Sequence, residues 1–470
     1  MTKPEEILRP LKNISGGVAL PHNKNTAESP SVVMPPPQTV TIPMQQHIGA
    51  PCEPCVKKGD TVYVGTKIGD SEKFISAPIH SSVSGTVSAI GTMLMPSGAT
   101  CQTVVIESDG LMTPDPDLAP VTVETPEQLV KAARDCGLVG LGGAGFPSHV
   151  KLTVKPESPI DTLIINGAEC EPYITSDYRE CVENTENILE GIYRIKNIIG
   201  IKKDIIAVEN NKPKAISALQ SLVERVLGYS TGVDVSDDDK FRAMYKVATD
   251  AQDTDNSVRL MRLKSRYPQG AEKVLIYTAT GRKLPLGKLP SDVGCMVMNI
   301  TSVSCLNKYI TTGMPLTAKM VTVDGAAVSN PQNVVVPIGT SVKDVIEFCG
   351  GCKTAVRKVL YGGPMMGTAL VDTSMPVMKQ NNAILVLDRK QAEKTVEQPC
   401  IRCGRCAKAC PVNLQPLEVE PALRIGNIER VKALYADYCI ECGCCSYVCP
   451  SKRHMTQVMR MAKAELKKQK

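Results

Sequence analysis

Hydrophobic and polar residues alternate differently in successive stretches of the chain. Between residues 39 and 107, short β-rich runs separated by glycine and proline predict a small all-β module. Residues 125–315 alternate amphipathic helices, Pro126–Cys136 and Asp177–Arg194, with short buried strands such as Asp161–Asn166. That alternation indicates an α/β domain.

A shorter α+β pattern follows at Met320–Gly351. Asp324-Gly325 marks a hairpin turn, another strand follows, and a helix begins at Ser341 and ends at Gly350. Two strands before one helix suit a β-grasp module. The last residues, 456–470, are basic and helix-prone, and a solvated helix is favoured over one that binds lipid or a partner.

Proline marks the module boundaries. Ten of the 34 prolines lie before residue 55, so residues 1–40 are predicted to run as an extended leader. Leu111–Pro120 is a Pro/Asp linker. Val56–Val62 and Ser76–Val87 resemble the barrel-sandwich hybrid of biotinyl and lipoyl domains, but the modified lysine of those carriers has no counterpart.

Composition excludes several classes of protein. With 43% hydrophobic and 22% charged residues, the 470-residue chain is not disordered. A net charge of +6 and no Trp argue against nucleic acid. The first ten residues lack the apolar stretch of a secretory signal, and no apolar run reaches the ~18 residues of a spanning helix. We therefore expect a soluble, cytoplasmic protein.

Cysteine is unusually abundant and unevenly placed. Nine of the 19 cysteines fall within Cys400–Cys449, and clustered thiols in a reducing compartment indicate metal. They form two Cys-x2-Cys-x2-Cys-x3-Cys-Pro runs, beginning at Cys400 and Cys439. This is the bacterial ferredoxin spacing, whereas a structural zinc site, the alternative, needs only four thiolates in two pairs.

In ferredoxins the fourth cysteine of each run binds the other cluster. The spacing therefore predicts two [4Fe–4S] clusters, one on Cys400, Cys403, Cys406 and Cys449 and the other on Cys439, Cys442, Cys445 and Cys410. Cys444 is predicted to be a bystander. The pairs Cys52/Cys55 and Cys349/Cys352 have no second pair or histidine, which favours core or surface cysteines.

A glycine-rich segment supplies the second chemical signal. Gly140-Leu-Gly142-Gly143-Ala144-Gly145 is followed by Phe146-Pro147 and by Lys151. Backbone N–H groups of such a loop entering a helix would hold phosphate, and Lys151 would add positive charge, although a plain tight turn is a serious competitor. The acid-rich segment Asn166–Pro172 then follows a predicted strand.

These segments resemble the flavoprotein subunit of respiratory complex I. The resemblance rests on GLGGAGFPSHVK, on NGAECEP, on Tyr267-Pro-Gln-Gly270-Ala-Glu272 and on Val297-Met-Asn299. It implies the following cofactor-binding residues: Gly140, Gly142, Gly143, Ala144, Gly145 and Lys151 by the phosphates; Phe146 against an NADH ring or, equally, in the core; Asn166, Glu169 and Asn299 on FMN; Glu171 and Glu272 on the dinucleotide; and Tyr267 and Gly270 in the third motif. No side chain is expected to act as a nucleophile, because the flavin would be the reactive group.

The order of modules resembles a second family, the C subunits of Rnf complexes. Gln46-His-Ile-Gly-Ala-Pro51 in the N-terminal module and Gly362–Gly367 before the ferredoxin runs carry this resemblance, which covers about residues 16–455. Cobalamin reductases of propanediol-utilisation compartments share the flavin core and both cluster motifs, and this enzyme or a stand-alone NADH diaphorase is the alternative. A two-cluster relay with a vestigial flavin site is a third, weaker possibility.

The Rnf resemblance implies a multidomain α/β and α+β fold and a ferredoxin:NAD oxidoreductase subunit. FMN would be bound non-covalently, NAD(H) would be the substrate, and two [4Fe–4S] clusters would carry single electrons. Partners would be the other subunits, including the membrane-embedded ones and the ferredoxin-interacting iron–sulfur subunit, at the cytoplasmic face of the membrane. The expected modules are a leader at 1–40, a barrel-sandwich module at 41–115, an FMN/NADH domain at 125–315, a β-grasp module at 316–367, a β connector at 368–395, a ferredoxin-like domain at 396–455 and a basic tail at 456–470.

Overall fold

The computed structural model describes residues 16–96, 98–227, 232–234 and 258–469. The first 15 residues of the predicted leader therefore lie outside the described residues. The leader's end contributes strand β1, Val32–Val33, which pairs in parallel with a distant strand at Val334–Val335.

The N-terminal module is built from two small antiparallel sheets. Its strands are β2 Thr39–Pro43, β3 Glu53–Pro54, β4 Thr61–Val62, β5 Lys67–Asp70, β6 Ile79–His80, β7 Gly85–Leu94 and β8 Thr100–Ser108. The sheets run in the orders β2-β8-β7-β4 and β3-β5-β6. Val40 and Ile42 alternate with Thr39 and Thr41 along β2, and together with Ile68 and Val104 they are fully buried in one apolar cluster.

A parallel five-stranded sheet forms the central domain. Its strands are β9 Thr162–Gly167, β10 Lys203–Glu209, β11 Gly232–Asp234, β12 Val258–Leu263 and β13 Cys295–Asn299, in the order β11-β12-β10-β9-β13. Leu163 and Ile165 enter one apolar cluster while Ile164 enters another. Both faces of β9 are therefore buried, as expected where helices cover a parallel sheet on both sides.

The helices of this domain differ from the expected pattern at one point. They are α1 Pro126–Asp135, α2 Ser148–Leu152, α3 Ser176–Glu183, α4 Thr185–Ile199, α5 Pro213–Leu227, α6 Glu272–Thr280 and α7 Ile300–Thr312, with a 3-10 turn at Pro290–Val293. The single helix predicted at Asp177–Arg194 is wrong. Asn184, whose φ of −126° lies outside the helical range, separates the two helices, and its side-chain amide donates to Glu180 Oε2 at 3.1 Å. Asparagine has a low helix propensity, which suits this position between two helices.

The next module is one mixed sheet. It contains β14 Ala318–Asp324, β15 Gln332–Pro337, β16 Lys358–Tyr361, β17 Thr368–Ala369 and β18 Ala383–Leu387, with helix α8 Val342–Phe348 capped by Ser341. The strand order is β1-β15-β14-β18-β16-β17. The hairpin predicted with Asp324-Gly325 as its turn is joined by a longer connection, Gly325–Pro331. Strands from the predicted leader and connector also join this sheet.

The cysteine-rich domain is helical. Its helices are α9 Arg405–Lys408, α10 Pro416–Arg424, α11 Ile428–Ala433, α12 Cys444–Tyr447 and α13 Met455–Lys468, with a 3-10 turn at Ala436–Tyr438. Helix α13, expected as a solvated tail, buries Met459, Ala462 and Leu466 against Val419 and Val431. It is therefore part of the core of this domain. Within the described ranges, no helix is both long and apolar enough to cross a membrane.

Candidate nucleotide and iron–sulfur sites

The glycine loop is an exposed turn anchored at both ends. Gly140 N–H donates to the Phe146 carbonyl at 2.9 Å, and Leu141 N–H donates to Ser302 Oγ at 3.0 Å. A Cβ added at Gly143 would meet no atom within 4 Å, and at Gly140 none closer than 3.7 Å. The loop thus leaves room for a ligand to approach its backbone closely, as phosphate binding requires.

Asn166 and Asn299 lie opposite each other at the carboxyl ends of β9 and β13. Because β10 and β13 flank β9 on opposite sides, the strand order reverses at this point, where ligands of open parallel sheets bind. Asn166 Nδ2 donates to the Gly270 carbonyl at 2.9 Å, and Asn299 caps α7 through Ser302 N–H. The structure therefore brings three of the predicted motifs together at one sheet edge.

Asp177 is a site residue that sequence reasoning recognised only as a helix start. Its carboxylate accepts from Asn299 Nδ2 at 2.8 Å and from Thr301 Oγ1 at 2.6 Å, while its N–H donates to Glu169 Oε1 at 2.8 Å. This buried residue links two of the predicted flavin contacts. Its place in the first turn of α3, ten residues after Gly167, was the only sequence signal.

Lys151 and Glu272 form an ion pair at the same edge. Lys151 Nζ lies 2.7 Å from Glu272 Oε1 and 3.2 Å from the carbonyl of Val297, two residues before Asn299. Both side chains are about one third exposed, at 32% and 38%. Lys151 and Glu272, which are both predicted to contact the cofactors, are therefore paired with each other and accessible to solvent.

Glu169 lies in a buried group of charges that includes Lys24 from the leader. Lys24 Nζ donates to the carbonyls of Glu169 and Glu171, both at 2.8 Å, and of Ile174 at 2.5 Å. Burial, and secondarily the Asp177 carboxylate, raise the pKa of Glu169 to about 7 against the opposing effect of Lys24. Glu169 Oε2 has no hydrogen-bond partner among the described residues, so it is an acceptor that a bound donor would satisfy.

Glu171 is held inside the chain. Its Oε1 accepts from Met366 N–H at 2.8 Å and its Oε2 accepts from Met365 N–H at 3.1 Å, both in the loop Gly362–Gly367. Burial raises its pKa to about 7. A role of Glu171 on a dinucleotide stays a prediction, because both carboxylate oxygens already have partners.

The N-terminal module contacts the end of the glycine loop. Ile48 N–H, within the Gln46–Pro51 motif, donates to the Gly145 carbonyl at 3.1 Å, and Gly145 has φ +69°. A Cβ at Gly145 would lie within 3.6 Å of His47 and Gln380. Phe146 beside it is half-buried, and its contact with NADH stays a prediction.

The third motif connects the nucleotide domain to the cysteine-rich domain. Tyr267 is buried, and its hydroxyl donates to the Cys442 carbonyl at 2.7 Å. Gly270 packs against the Ala168 carbonyl so closely that no side chain fits there. Tyr267 thus lies at the boundary between the two domains, and Gly270 lies beneath Asn166.

Two pockets lie among the cysteines. The first is lined by Cys400, Cys403, Cys406 and Cys449, and the second by Cys410, Cys439, Cys442 and Cys445. The structure thus brings together the two crossed sets that the ferredoxin spacing predicts, and Cys444, predicted to be a bystander, also lines the second pocket. Each pocket therefore has four predicted thiolate ligands along its wall, the number that a [4Fe–4S] cluster requires.

The two runs repeat each other at an interval of 39 residues. Arg402 and Glu441 both have positive φ, 53° and 56°, and Gly404 and Gly443 follow at 71° and 81°. Arg402 N–H donates to Cys400 Sγ and Glu441 N–H to Cys439 Sγ, at 3.4 and 3.3 Å. Equal backbone geometry therefore surrounds both pockets.

Comparisons with known protein families agree with this arrangement of domains and sites. The chain matches the Nuo51 FMN-binding domain at residues 133–308, the RnfC barrel sandwich hybrid domain at 12–111, the SLBB domain at 320–369 and a 4Fe-4S dicluster domain at 399–453. It is thus an iron–sulfur flavoprotein in its domain content. The fold class and the FMN and [4Fe–4S] cofactors expected from the sequence are confirmed.

Curated relatives identify the family. The chain is 40% identical to the C subunit of the proton-translocating ferredoxin:NAD(+) oxidoreductase complex of Clostridium ljungdahlii, over 86% of this chain and 83% of that protein. It is 40% identical to the C subunit of the Na(+)-translocating ferredoxin:NAD(+) oxidoreductase complex of Acetobacterium woodii, over 86% of each chain. The C subunit of the ion-translocating oxidoreductase complex of Rhodobacter capsulatus is 37% identical, over 90% and 78%. The chain belongs to this family, the C subunits of Rnf complexes.

A solved structure shows a weaker likeness. A NAD+-reducing [NiFe]-hydrogenase in the H2-reduced state aligns with a TM-score of 0.48 and 16% identity, over 74% of this chain and 65% of that chain.

Proposed function

We propose that this chain is the NAD(H)-reactive subunit of a membrane-bound, ion-translocating ferredoxin:NAD oxidoreductase complex. The observation that carries the proposal is the bond from Tyr267, in the FMN-binding domain, to the Cys442 carbonyl at the second cysteine pocket. With FMN and a cluster bound at the predicted residues, this contact would make the two cofactor sites neighbours. FMN, when bound, supplies the conversion between hydride transfer to NAD and single-electron transfer.

The chain's residues would hold and orient the cofactors. Gly140–Gly145 would receive phosphate on their backbone, with Lys151 as the nearest cation. Asn166, Asn299 and Glu169 would contact the flavin, and their positions are fixed by Gly270, Asp177 and Lys24, respectively. A Lys151 contact with phosphate would replace its contact with Glu272, which would then be available to the dinucleotide.

The partners would be the other subunits of the complex, including the membrane-embedded ones and the iron–sulfur subunit that receives electrons from ferredoxin. Support comes from the names of the relatives, which are subunits of ion-translocating complexes. We propose that the chain lies at the cytoplasmic face of the membrane and is held there by these subunits. The other subunits would carry out the movement of ions across the membrane.

The test uses the full chain, loaded with iron and FMN. NADH should bleach the flavin and reduce both clusters, and acid precipitation should release all of the FMN as expected for a non-covalent cofactor. Lys151→Ala should weaken FMN retention by roughly 1.5–3 kcal/mol, since a charge-assisted hydrogen bond is lost. Lys155→Ala, an exposed lysine four residues away, is the control. A chain that holds both clusters but binds no FMN would refute the proposal.

A further inference from the structure

Two cysteines outside the ferredoxin runs face each other in the core of the nucleotide domain. Cys136 directly follows α1, and its Sγ lies 4.0 Å from the Sγ of Cys305 on α7. Cys136 is fully buried, whereas Cys305 is half-buried. The two sulfur atoms need to approach by only about 2 Å to reach the length of a disulfide bond.

Three lysines from different parts of the fold act electrostatically on this pair of thiols. Lys308 lies on the next turn of α7, Lys319 lies on β14, and Lys379 lies between β17 and β18. Lys319 Nζ is buried and has no hydrogen-bond partner among the described residues. Lys379 Nζ donates to the carbonyl of Gly137, the residue after Cys136, at 2.7 Å. An electropositive and partly accessible environment of this kind is where reactive cysteines occur.

The two thiols differ in their readiness to lose a proton. The hydrogen bond from Cys136 lowers the pKa of Cys305 and, together with Lys308 and Lys319, outweighs the opposing effects of burial and of Glu180. Burial raises the pKa of Cys136 well above its usual value. Cys305, which is also the more accessible of the two, is therefore the thiol that ionises, and Cys136 stays protonated beside it. A redox-active pair uses one thiol to react with the oxidant and the other to close the disulfide.

The pair lies directly beneath the anchor of the glycine loop. Ser302, one turn before Cys305 on α7, accepts from Leu141 N–H at 3.0 Å and donates to the Val139 carbonyl at 3.2 Å. Cys136 lies between the end of α1 and the start of the same loop. A bond between the two sulfur atoms would draw the root of the loop and α7 together by up to about 2 Å. It would therefore disturb the hydrogen bonds through which Ser302 holds the loop.

We propose that Cys136 and Cys305 are a modification site, which hydrogen peroxide converts to a disulfide that weakens the binding of FMN at the glycine loop. The Cys305 thiolate attacks one peroxide oxygen, the O–O bond breaks, and the departing hydroxide takes up a proton and leaves as water. The Cys136 sulfur then attacks the sulfenic acid on Cys305, the S–S bond forms, and a second water leaves with the thiol proton.

The two thiols are thus oxidised by two electrons, the peroxide is reduced to two waters, and a dithiol reductant reverses the step. The disulfide itself goes beyond the proposed function, whereas its effect on FMN rests on that function.

The first test maps the bond in the full chain loaded with iron and FMN. After a small excess of hydrogen peroxide, free thiols are blocked and the chain is digested with trypsin without reduction. The peptide Asp135–Lys151 should be joined to Leu289–Lys308, with the loss of two hydrogen atoms. Cys305→Ala should abolish the joined peptide, which excludes Cys295 of the same peptide as the partner.

Cys352→Ser is the control, because it removes an exposed cysteine of the mixed-sheet module and should leave the joined peptide unchanged. Absence of the joined peptide from the wild-type chain, at a dose of peroxide that retains the iron, would overturn the proposal.

The second test measures the Kd for FMN before and after peroxide. Oxidation should raise the Kd about 3- to 10-fold, as expected when one hydrogen bond of the loop is weakened, and dithiothreitol should restore it. Cys136→Ala/Cys305→Ala should keep one Kd under all three conditions, and Cys305→Ser replaces this variant if it loses FMN. A joined peptide with an unchanged Kd would overturn the effect on the loop. A chain that binds no FMN before oxidation would refute the proposed function, while the joined peptide would still report on the disulfide.

Discussion

At the scale of single residues, Asp177 connects two of the predicted flavin contacts, Asn299 and Glu169. It is 7% exposed and serves Asn299, Thr301 and Glu169 at once. Asp177→Asn should weaken FMN binding by about 1–3 kcal/mol, because an amide can accept only one of the two side-chain donors and places its own N–H against the other. The measurement is the Kd for FMN from the flavin retained after filtration.

Asp135→Asn is the control for that prediction, since Asp135 forms an ion pair with the exposed Lys131 on α1 and belongs to none of the predicted sites. Equal Kd values for wild type and Asp177→Asn would show that Asp177 does not position the flavin contacts.

Glu169 should make stability depend on pH. Burial raises its pKa from 4.5 to about 7, so the folded state binds its proton more tightly than the unfolded state does. Its contribution is therefore present below pH 4.5 and is lost as the pH rises through 7. Lys24, whose pKa burial lowers to about 8, keeps its charge over most of this range.

Glu169→Gln keeps the neutral form at every pH. The difference in Tm between Glu169→Gln and wild type should therefore shift in favour of the variant between about pH 5 and about pH 7.5. Glu157→Gln, which changes an exposed glutamate, should show no such shift. A difference that is independent of pH would mean that Glu169 is ionised throughout.

At the scale of secondary structure, the hydrophobic periodicity of the sequence predicted those strands and helices that local interactions determine. The strand before Asn166 and the helix beginning at Pro126 could be predicted because buried apolar runs and a capping box act over a few residues. The break at Asn184 could not be predicted, since one residue of low helix propensity is a weak signal within a long amphipathic pattern. The pairing of β1 with β15 joins residues 302 positions apart, which no local pattern encodes.

The ligand crossover is a prediction about elements, since each pocket takes three cysteines from one run and one from the other. We call the cluster of the second pocket, where Cys410, Cys442 and Cys445 are buried, the enclosed cluster, and that of the first pocket, where Cys400 and Cys403 are exposed, the exposed cluster. Cys410→Ser should remove the enclosed cluster and Cys449→Ser the exposed one, each lowering iron by about four per chain. Cys444→Ser, which changes a cysteine beside the second pocket, is the control and should keep about eight. Loss of the same cluster in both ligand variants, by electron paramagnetic resonance, would refute the crossover.

At the scale of the whole molecule, the site depends on contacts that the sequence motifs do not show. The glycine loop, the strand ends and the cysteine runs were recognisable because each is a short motif with its own chemistry. Their assembly relies on Lys24 of the leader, Ile48 of the N-terminal module and Met365 before the ferredoxin runs. Lys24 is ordinary in sequence and was missed. Ile48 and Met365 belong to the recognised motifs Gln46–Pro51 and Gly362–Gly367, but their contacts depend on long-range packing that the motifs do not encode.

The arrangement of domains leads us to expect an order of electron transfer. The second cysteine pocket contacts the nucleotide domain through the bond from Tyr267 to the Cys442 carbonyl, so electrons from NADH should reach the enclosed cluster first. Cys449→Ser should therefore still show NADH-dependent reduction of the enclosed cluster. Cys410→Ser, with FMN bound, should leave the exposed cluster oxidised on the time scale of one turnover, although dithionite reduces it. Rapid-freeze electron paramagnetic resonance distinguishes these outcomes, and prompt reduction of the exposed cluster in Cys410→Ser would show a separate path from the flavin.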